Sequence, residues 1–233
     1  MNNRSGTVAV IPVKQRSTRT PGKNFRLLGG VPIWQWIIRT LLTCEDVGYM
    51  VLATSPGMDP KPFLDFALFM RCPSRLRIME RPDWLCQDDA GIHEILTWVD
   101  ERINAERYVQ THVCNPFVSH RMIRRALELL PTANGSSVLA VEPIQQVMWR
   151  KDDSGKAVPV NHDPSYHAPG QALSWVYIET CALSVFYGEM LQRVGNRTGP
   201  DPILMECDPI DAWDIDEEWQ FGVADAIAER RGR

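Results

Sequence analysis

A chain of 233 residues that is 44% hydrophobic is long enough to close one large α/β domain around a full core. Its net charge of −4 argues against a general nucleic-acid binder, and no apolar run reaches the length of a membrane span. The six cysteines (Cys44, Cys72, Cys86, Cys114, Cys181 and Cys207) contain no CxxC pair, which speaks against zinc; with no signal peptide at the start, the expected setting is the reduced cytoplasm.

Short apolar runs alternate with helical patterns, the βαβ rhythm of a mostly parallel sheet. Strands are predicted at 7–13, 48–54, 75–79, 107–113, 137–142, 173–179 and 203–207. Helices are predicted at 32–43, 59–70, 89–104, 119–130, 180–192 and 216–230, with Pro32 in the first turn of one and Ser119 capping another. Between 144 and 172 the rhythm breaks: a turn at Asp152–Lys156 precedes VPVNHDPSYHAPGQ, which has no helical period. This segment is expected to project from the sheet as a β-hairpin and loop within a single domain spanning 1–233. A projecting hairpin cannot bury Ile144, Val147, Met148, Trp149, Val158 and Val160 against its own domain, so a homodimer through it is expected.

The chemistry concentrates at the two ends. The run Val8–Ile11 stops at Pro12 and feeds a loop carrying Lys14, Arg16, Arg19 and Lys23. A buried strand leading into such a loop is how α/β proteins meet phosphates, because backbone N–H groups and cations converge at the strand's carboxyl end. The spacing is neither a P-loop nor GxGxxG, and composition alone equally allows a solvated basic loop. From Lys14 to Arg26 there are five basic residues and no acid; from Glu206 to Glu218 there are seven acids and no base. Within the acidic run lies Asp214-Ile215-Asp216. In an extended segment the two carboxylates share a face and can reach one cation while Ile215 enters the core, although an acidic first turn of the last helix would read the same way.

IPVKQRSTRTPGKNFRLLGGVPIWQW (residues 11–36) resembles the opening of the acylneuraminate cytidylyltransferase family, which couples sialic acids, related sugar acids and certain phosphonates to CMP. Ser17, Pro21, Lys23 and Asn24 match the family's loop, and Gly29, Gly30 and Pro32 follow in step; Lys14 stands where the family usually has arginine, keeping the charge but losing the bidentate fork. DID at 214–216 also matches, with Glu217, Glu218 and Phe221 after it. The resemblance implies a Rossmann-like three-layer α/β/α nucleotidyltransferase (GT-A-like) fold. It implies CTP and Mg²⁺, with Asp214 and Asp216 holding the metal. Lys14, Arg19 and Lys23 would clamp the triphosphate, Val13, Ser17 and Asn24 would meet the nucleotide or fix the loop, and Arg81 of the RP segment would contact the nucleotide. Asp88 would cap the helix that follows.

The departures bear on the acceptor. HVCNPFVS (residues 112–119) stands in the place of QPTSPLR, so His112 replaces a glutamine expected to touch the acceptor and Asn115 replaces a serine. The strand ALSWVYIET places Trp175 and Tyr177 where the family reads RPNGAIY, and Asn161–Ser174 contains no arginine or lysine to pair with a sugar carboxylate. A small phosphonate, already ionised and needing no general base, fits these departures better than a sialic acid. The other histidines, His93, His120, His162 and His167, lack metal-ligand spacing. Two competing readings are a nucleotidyltransferase using another nucleotide, against which the missing GxGxR speaks, and a nucleotide-binding module without catalysis, against which the retained Lys23 and DID speak.

Overall fold

The computed structural model describes residues 5–15, 20–87, 89–166 and 169–231; the expectations placed on Arg16, Ser17, Arg19, Asp88 and His167 lie outside them. In chain order the elements are β1 (Ser5–Val13), β2 (Leu27–Leu28), β3 (Val31–Pro32), α1 (Ile33–Thr43), β4 (Tyr49–Thr54), α2 (Lys61–Phe69), β5 (Leu76–Glu80), α3 (Ile92–Ile103) and β6 (Ala105–Gln110). There follow α4 (His120–Leu129), β7 (Ser137–Ile144), β8 (Trp149–Lys151), β9 (Ala157–Pro159), β10 (Val176–Tyr187), α5 (Gly188–Val194), β11 (Ile203–Glu206) and α6 (Glu218–Arg231).

The apolar run in β1 is uninterrupted because helices cover both of its faces. Ala9, Ile11 and Val13 pack into a core with α1, α2, α4 and α6, while Val8 and Val10 pack into a second core with α3 and α5. Seven strands form the middle layer in the order β11-β7-β10-β6-β1-β4-β5. β10 runs antiparallel to both its neighbours, and the other pairings are parallel. The carboxyl ends of β1, β4 and β6 therefore lie side by side, where ligands of open α/β sheets collect. The tight β2–β3 turn uses Gly29 and Gly30 at φ 58 and 80, the conformation a two-residue hairpin turn demands. A Cβ on Gly29 would lie 2.9 Å from the Cβ of Ala228, so the same glycine lets α6 dock.

Residues 180–192, expected to be a helix after a short strand, are corrected. One strand runs to Tyr187, its register shifting between Glu179 and Ser184 with Cys181 at φ 56, and only Gly188–Val194 is helical. Ala182, Leu183, Val185 and Phe186 are all buried, so this stretch lost the alternation that marks a half-exposed strand and read as a helix. Ser119 does cap α4, its Oγ accepting from the Met122 N–H at 3.2 Å.

The expected hairpin is β8–β9, with Trp149 opposite Pro159. Asp152 Oδ1 accepts from the N–H groups of Ser154 and Lys156, closing the turn. Asn161 ties the base of the excursion, its Oδ1 accepting from Met148 N–H (3.0 Å) and its Nδ2 donating to the carbonyls of Gln146 (2.8 Å) and Ser174 (3.0 Å). Val147, Trp149, Val160, Tyr166 and Trp175 are exposed on it. Among the described residues no helix is long and apolar enough to cross a membrane.

Candidate active site

The basic and acidic ends meet at the carboxyl edge of β1. Lys23 is buried, and its Nζ donates to the carbonyl of Ile215 (2.6 Å) and to Asp216 Oδ1 (3.0 Å). Thr20 Oγ1 donates to the carbonyl of Asp216 at 2.7 Å. Arg26 forks onto Glu218 with bonds of 2.6 and 2.7 Å and lies over the Phe221 ring at 3.9 Å. Gly29 N–H donates to Asp225 Oδ1 at 2.7 Å. Asn24 Nδ2 donates to the carbonyl of Lys14 at 2.8 Å, so Asn24 is a brace within the loop and Lys14 is half-buried at its start.

Asp214-Ile215-Asp216 lies between β11 and α6 outside any helix or strand, and Ile215 is fully buried with its N–H on the carbonyl of Cys114 (3.0 Å). The carboxylates on either side are partly exposed, one against Lys23 and the other against Cys114. Burial first, and then the Asp214 carboxylate, push the Cys114 thiol well above its ordinary range, so it stays protonated. Among the described residues no three or more His, Cys, Asp or Glu side chains form a group able to hold a metal. Two carboxylates are nevertheless the kind of hard oxygen donor that Mg²⁺ takes from a protein when phosphate oxygens and water complete its shell.

Arg81, expected to touch the nucleotide, is placed otherwise. It is 1% exposed, with Nε donating to Thr54 O, Nη1 to Leu85 O, and Nη2 to Val13 O and Ser55 Oγ, at 3.2–3.3 Å. Its guanidinium joins the ends of β1 and β4 and takes up the Val13 carbonyl. Asn115 is likewise fully buried, its Nδ2 donating to the carbonyl of Trp213 (3.3 Å), which ties it to the residue before Asp214. Trp175, just before β10, and Tyr177, within it, are exposed.

His112 follows the end of β6. Ser184 Oγ donates to Gln110 Oε1 (2.9 Å), which turns the amide nitrogen of Gln110 toward His112 Nε2 (2.8 Å). That nitrogen of the ring must accept, so the proton resides on Nδ1. Burial, followed by the charges of Arg197 and Lys23, lowers the His112 pKa to about 4, which keeps the imidazole neutral.

Sequence reasoning missed Arg197. It is 9% exposed and ion-paired to Glu179, with Nη2 near Cys181 Sγ at 3.7 Å. Thus a cation does stand on this side of the sheet, although none lies in 161–174. Nothing in RVGNRTGPDP marks it, because only the path of the loop carries it there. One cavity of about 520 Å³ is lined by Gly29, Trp36, Arg39, Phe117 and His120.

Residues 8–163 match the sequence model of the family described as Cytidylyltransferase. No curated protein sequence gives a significant match. Among solved structures, the chain is similar to a CMP:2-keto-3-deoxy-manno-octonic acid synthetase complexed with CTP, at 15% identity and a TM-score of 0.67, covering 97% of this chain and 100% of that one. It is also similar to 4-diphosphocytidyl-2C-methyl-D-erythritol synthase from Anaerococcus prevotii DSM 20548, at 10% identity and a TM-score of 0.66, covering 97% of each chain. A further synthase of that name aligns at 12% identity and a TM-score of 0.67, over 97% of this chain and 99% of that one. These likenesses establish a shared three-layer fold, and the family match across residues 8–163 places the chain in the cytidylyltransferase family of CTP-using nucleotidyltransferases.

Proposed function

We propose that this protein transfers CMP from CTP to a compact acidic acceptor, a phosphonate in the first place, releasing pyrophosphate. The observation that carries the reading is the junction of Lys23 with Asp216 beside Asp214, which sets cation and carboxylates together at the carboxyl edge of β1. Lys14, Arg19 and Lys23 neutralise the triphosphate, with Ser17 as a further contact and Asn24 holding the loop. Asp214 and Asp216 would hold Mg²⁺, which supplies charge neutralisation on the phosphates. An acceptor oxygen attacks the α-phosphorus in line as the bond to the pyrophosphate oxygen breaks; rate comes from positioning and electrostatics.

A phosphonate is favoured because His112 cannot serve as a base. His112 has its Nε2 committed to Gln110 and its proton on Nδ1, so it can donate to an acceptor but not deprotonate one. An ionised phosphonate oxygen needs no deprotonation. A second reading, a sugar acid whose hydroxyl attacks, draws support from Arg197, which could take a carboxylate. The exposed apolar residues of the hairpin support a homodimer, and the unpaired cysteines suit a cytoplasmic setting. Pyrophosphate release measured with CTP, UTP, GTP and ATP against a panel of phosphonates and sugar acids tests the proposal: activity with CTP and a phosphonate is expected, and equal use of all four nucleotides would defeat it.

A further inference from the structure

The loop between α5 and β11 is pinned on both sides of Arg197. α5 ends on Gly195 at φ 70, and a Cβ on Gly199 would lie 2.7 Å from the Cα of Ser136, a contact no other residue could make without displacing the start of β7. Gly199 N–H donates to Ser137 Oγ (3.1 Å) and Asp201 N–H to Ser136 Oγ (3.2 Å). From this fixed base the side chain reaches Glu179, at the edge of the register shift of β10, and Cys181, within it. Ser184 pairs with Gln110, so the residues of β10 before Ser184 run alongside those that follow Gln110, His112 among them. Glu179 pairs with Val141 toward the carboxyl end of β7, which sets the guanidinium it holds at the edge of the sheet where β6 also ends.

Glu179 takes Nη2. Nη1 is buried and meets no hydrogen-bond partner among the described residues. A guanidinium nitrogen kept from water without an acceptor is costly, and a pinned loop that maintains it implies an oxygen arriving from elsewhere. His112, which follows Gln110 at the same edge of the sheet, presents Nδ1–H as a second donor.

We propose that Arg197 is a specificity-determining residue that binds an anionic group of the acceptor, with His112 Nδ1–H as the second donor and Glu179 as the positioning residue. This rests on the transfer reading above and extends it: the acceptor carries two ends, an oxygen that attacks phosphorus and a separate oxyanion, carboxylate or phosphonate, that meets Arg197. The triphosphate loop and the acceptor anion thus use different cations.

The test compares phosphonoacetate (two anionic ends), methylphosphonate (one) and N-acetylneuraminate (a carboxylate on a sugar) in wild type, Arg197→Lys and Arg197→Gln, with kcat and KM measured separately and CTP affinity by calorimetry. Arg197→Gln should raise KM for phosphonoacetate roughly 10- to 100-fold, the range of a lost charge-assisted hydrogen bond. CTP affinity and the KM of methylphosphonate should stay within about threefold, and Arg197→Lys should recover part of the loss. If N-acetylneuraminate is the wild-type substrate and its KM responds instead, the subsite stands and its anion is the sugar carboxylate. Should Arg197→Gln not fold with Glu179 left unpaired, the double variant Arg197→Gln/Glu179→Gln removes both charges and carries the same expectation. An unchanged acceptor KM, or acceptor KM and CTP affinity weakening together, would overturn the subsite. Wild-type enzyme that turns over none of the three acids with CTP would defeat the transfer reading, and the subsite with it.

Discussion

Arg81→Met separates a structural brace from a nucleotide ligand. Methionine keeps much of the stem volume but removes four bonds of 3.2–3.3 Å, three of them to backbone carbonyls at strand and loop ends. At the lower end of the usual net range, about 0.5–1.5 kcal/mol per bond, the loss is about 2–4 kcal/mol. Part is returned because a cation whose pKa burial already lowers no longer has to be kept from water. A net loss of about 3 kcal/mol lowers Tm by roughly 6–12 °C in a chain of this size. Differential scanning calorimetry gives Tm, and a CTP titration well below both transitions gives affinity. The expected pair is a clear fall in Tm with CTP affinity within about threefold. An unchanged Tm with CTP binding weakened tenfold or more would show that the guanidinium touches the nucleotide, and would refute the brace.

Three other outcomes follow from the same geometry. Asp214→Asn or Asp216→Asn should lower turnover by roughly 100-fold or more, as should chelation of Mg²⁺, while Tm moves by only a few degrees; full activity in either variant would reduce the pair to a helix-start feature. The unfolded chain protonates His112 near its ordinary 6.5 and the folded chain only near about 4, so unfolded protein binds more protons between these values and stability falls as pH drops through that window. Urea unfolding at several pH values should show His112→Gln flattening this acid limb, and parallel slopes would contradict the buried neutral ring. Trp149→Glu, placing a charge among the exposed apolar residues of the hairpin, should convert a homodimer to monomer in sedimentation; a wild type that is monomeric at micromolar concentration would exclude the interface.

The sequence made legible what local pattern determines. The double-sided burial of β1, the Gly29–Gly30 turn, the Ser119 cap, the projecting hairpin and the meeting of basic and acidic ends all have signals within a few residues. β10 was not legible past Glu179 because a strand buried on both faces has no period of two to display. Arg81 and Asn115 stand at motif positions, and both side chains turn inward to hold backbone carbonyls. Residue type and motif position do not reveal whether a polar group faces a cleft or a neighbouring strand end. Arg197 is the converse case: an isolated arginine in a Gly- and Pro-rich loop carries no local pattern, and its place beside Glu179 depends on where the loop crosses the start of β7.

The bonds that fasten the basic loop, Thr20 and Lys23 to Asp216, Arg26 to Glu218 and Gly29 to Asp225, join residues 192 to 196 positions apart. A ribosome adding about 5–20 residues per second delivers the second partner about 10–40 s after the first. Strands β1, β4, β5 and β6 have all been made by then and can begin to pair, while the basic loop still lacks its carboxylates. The basic loop of the nascent chain therefore stays unfastened until α6 emerges. Fastening of the loop is coupled to the synthesis of α6, and a chain cut short after β11 would retain most of its sheet while being unable to fasten that loop.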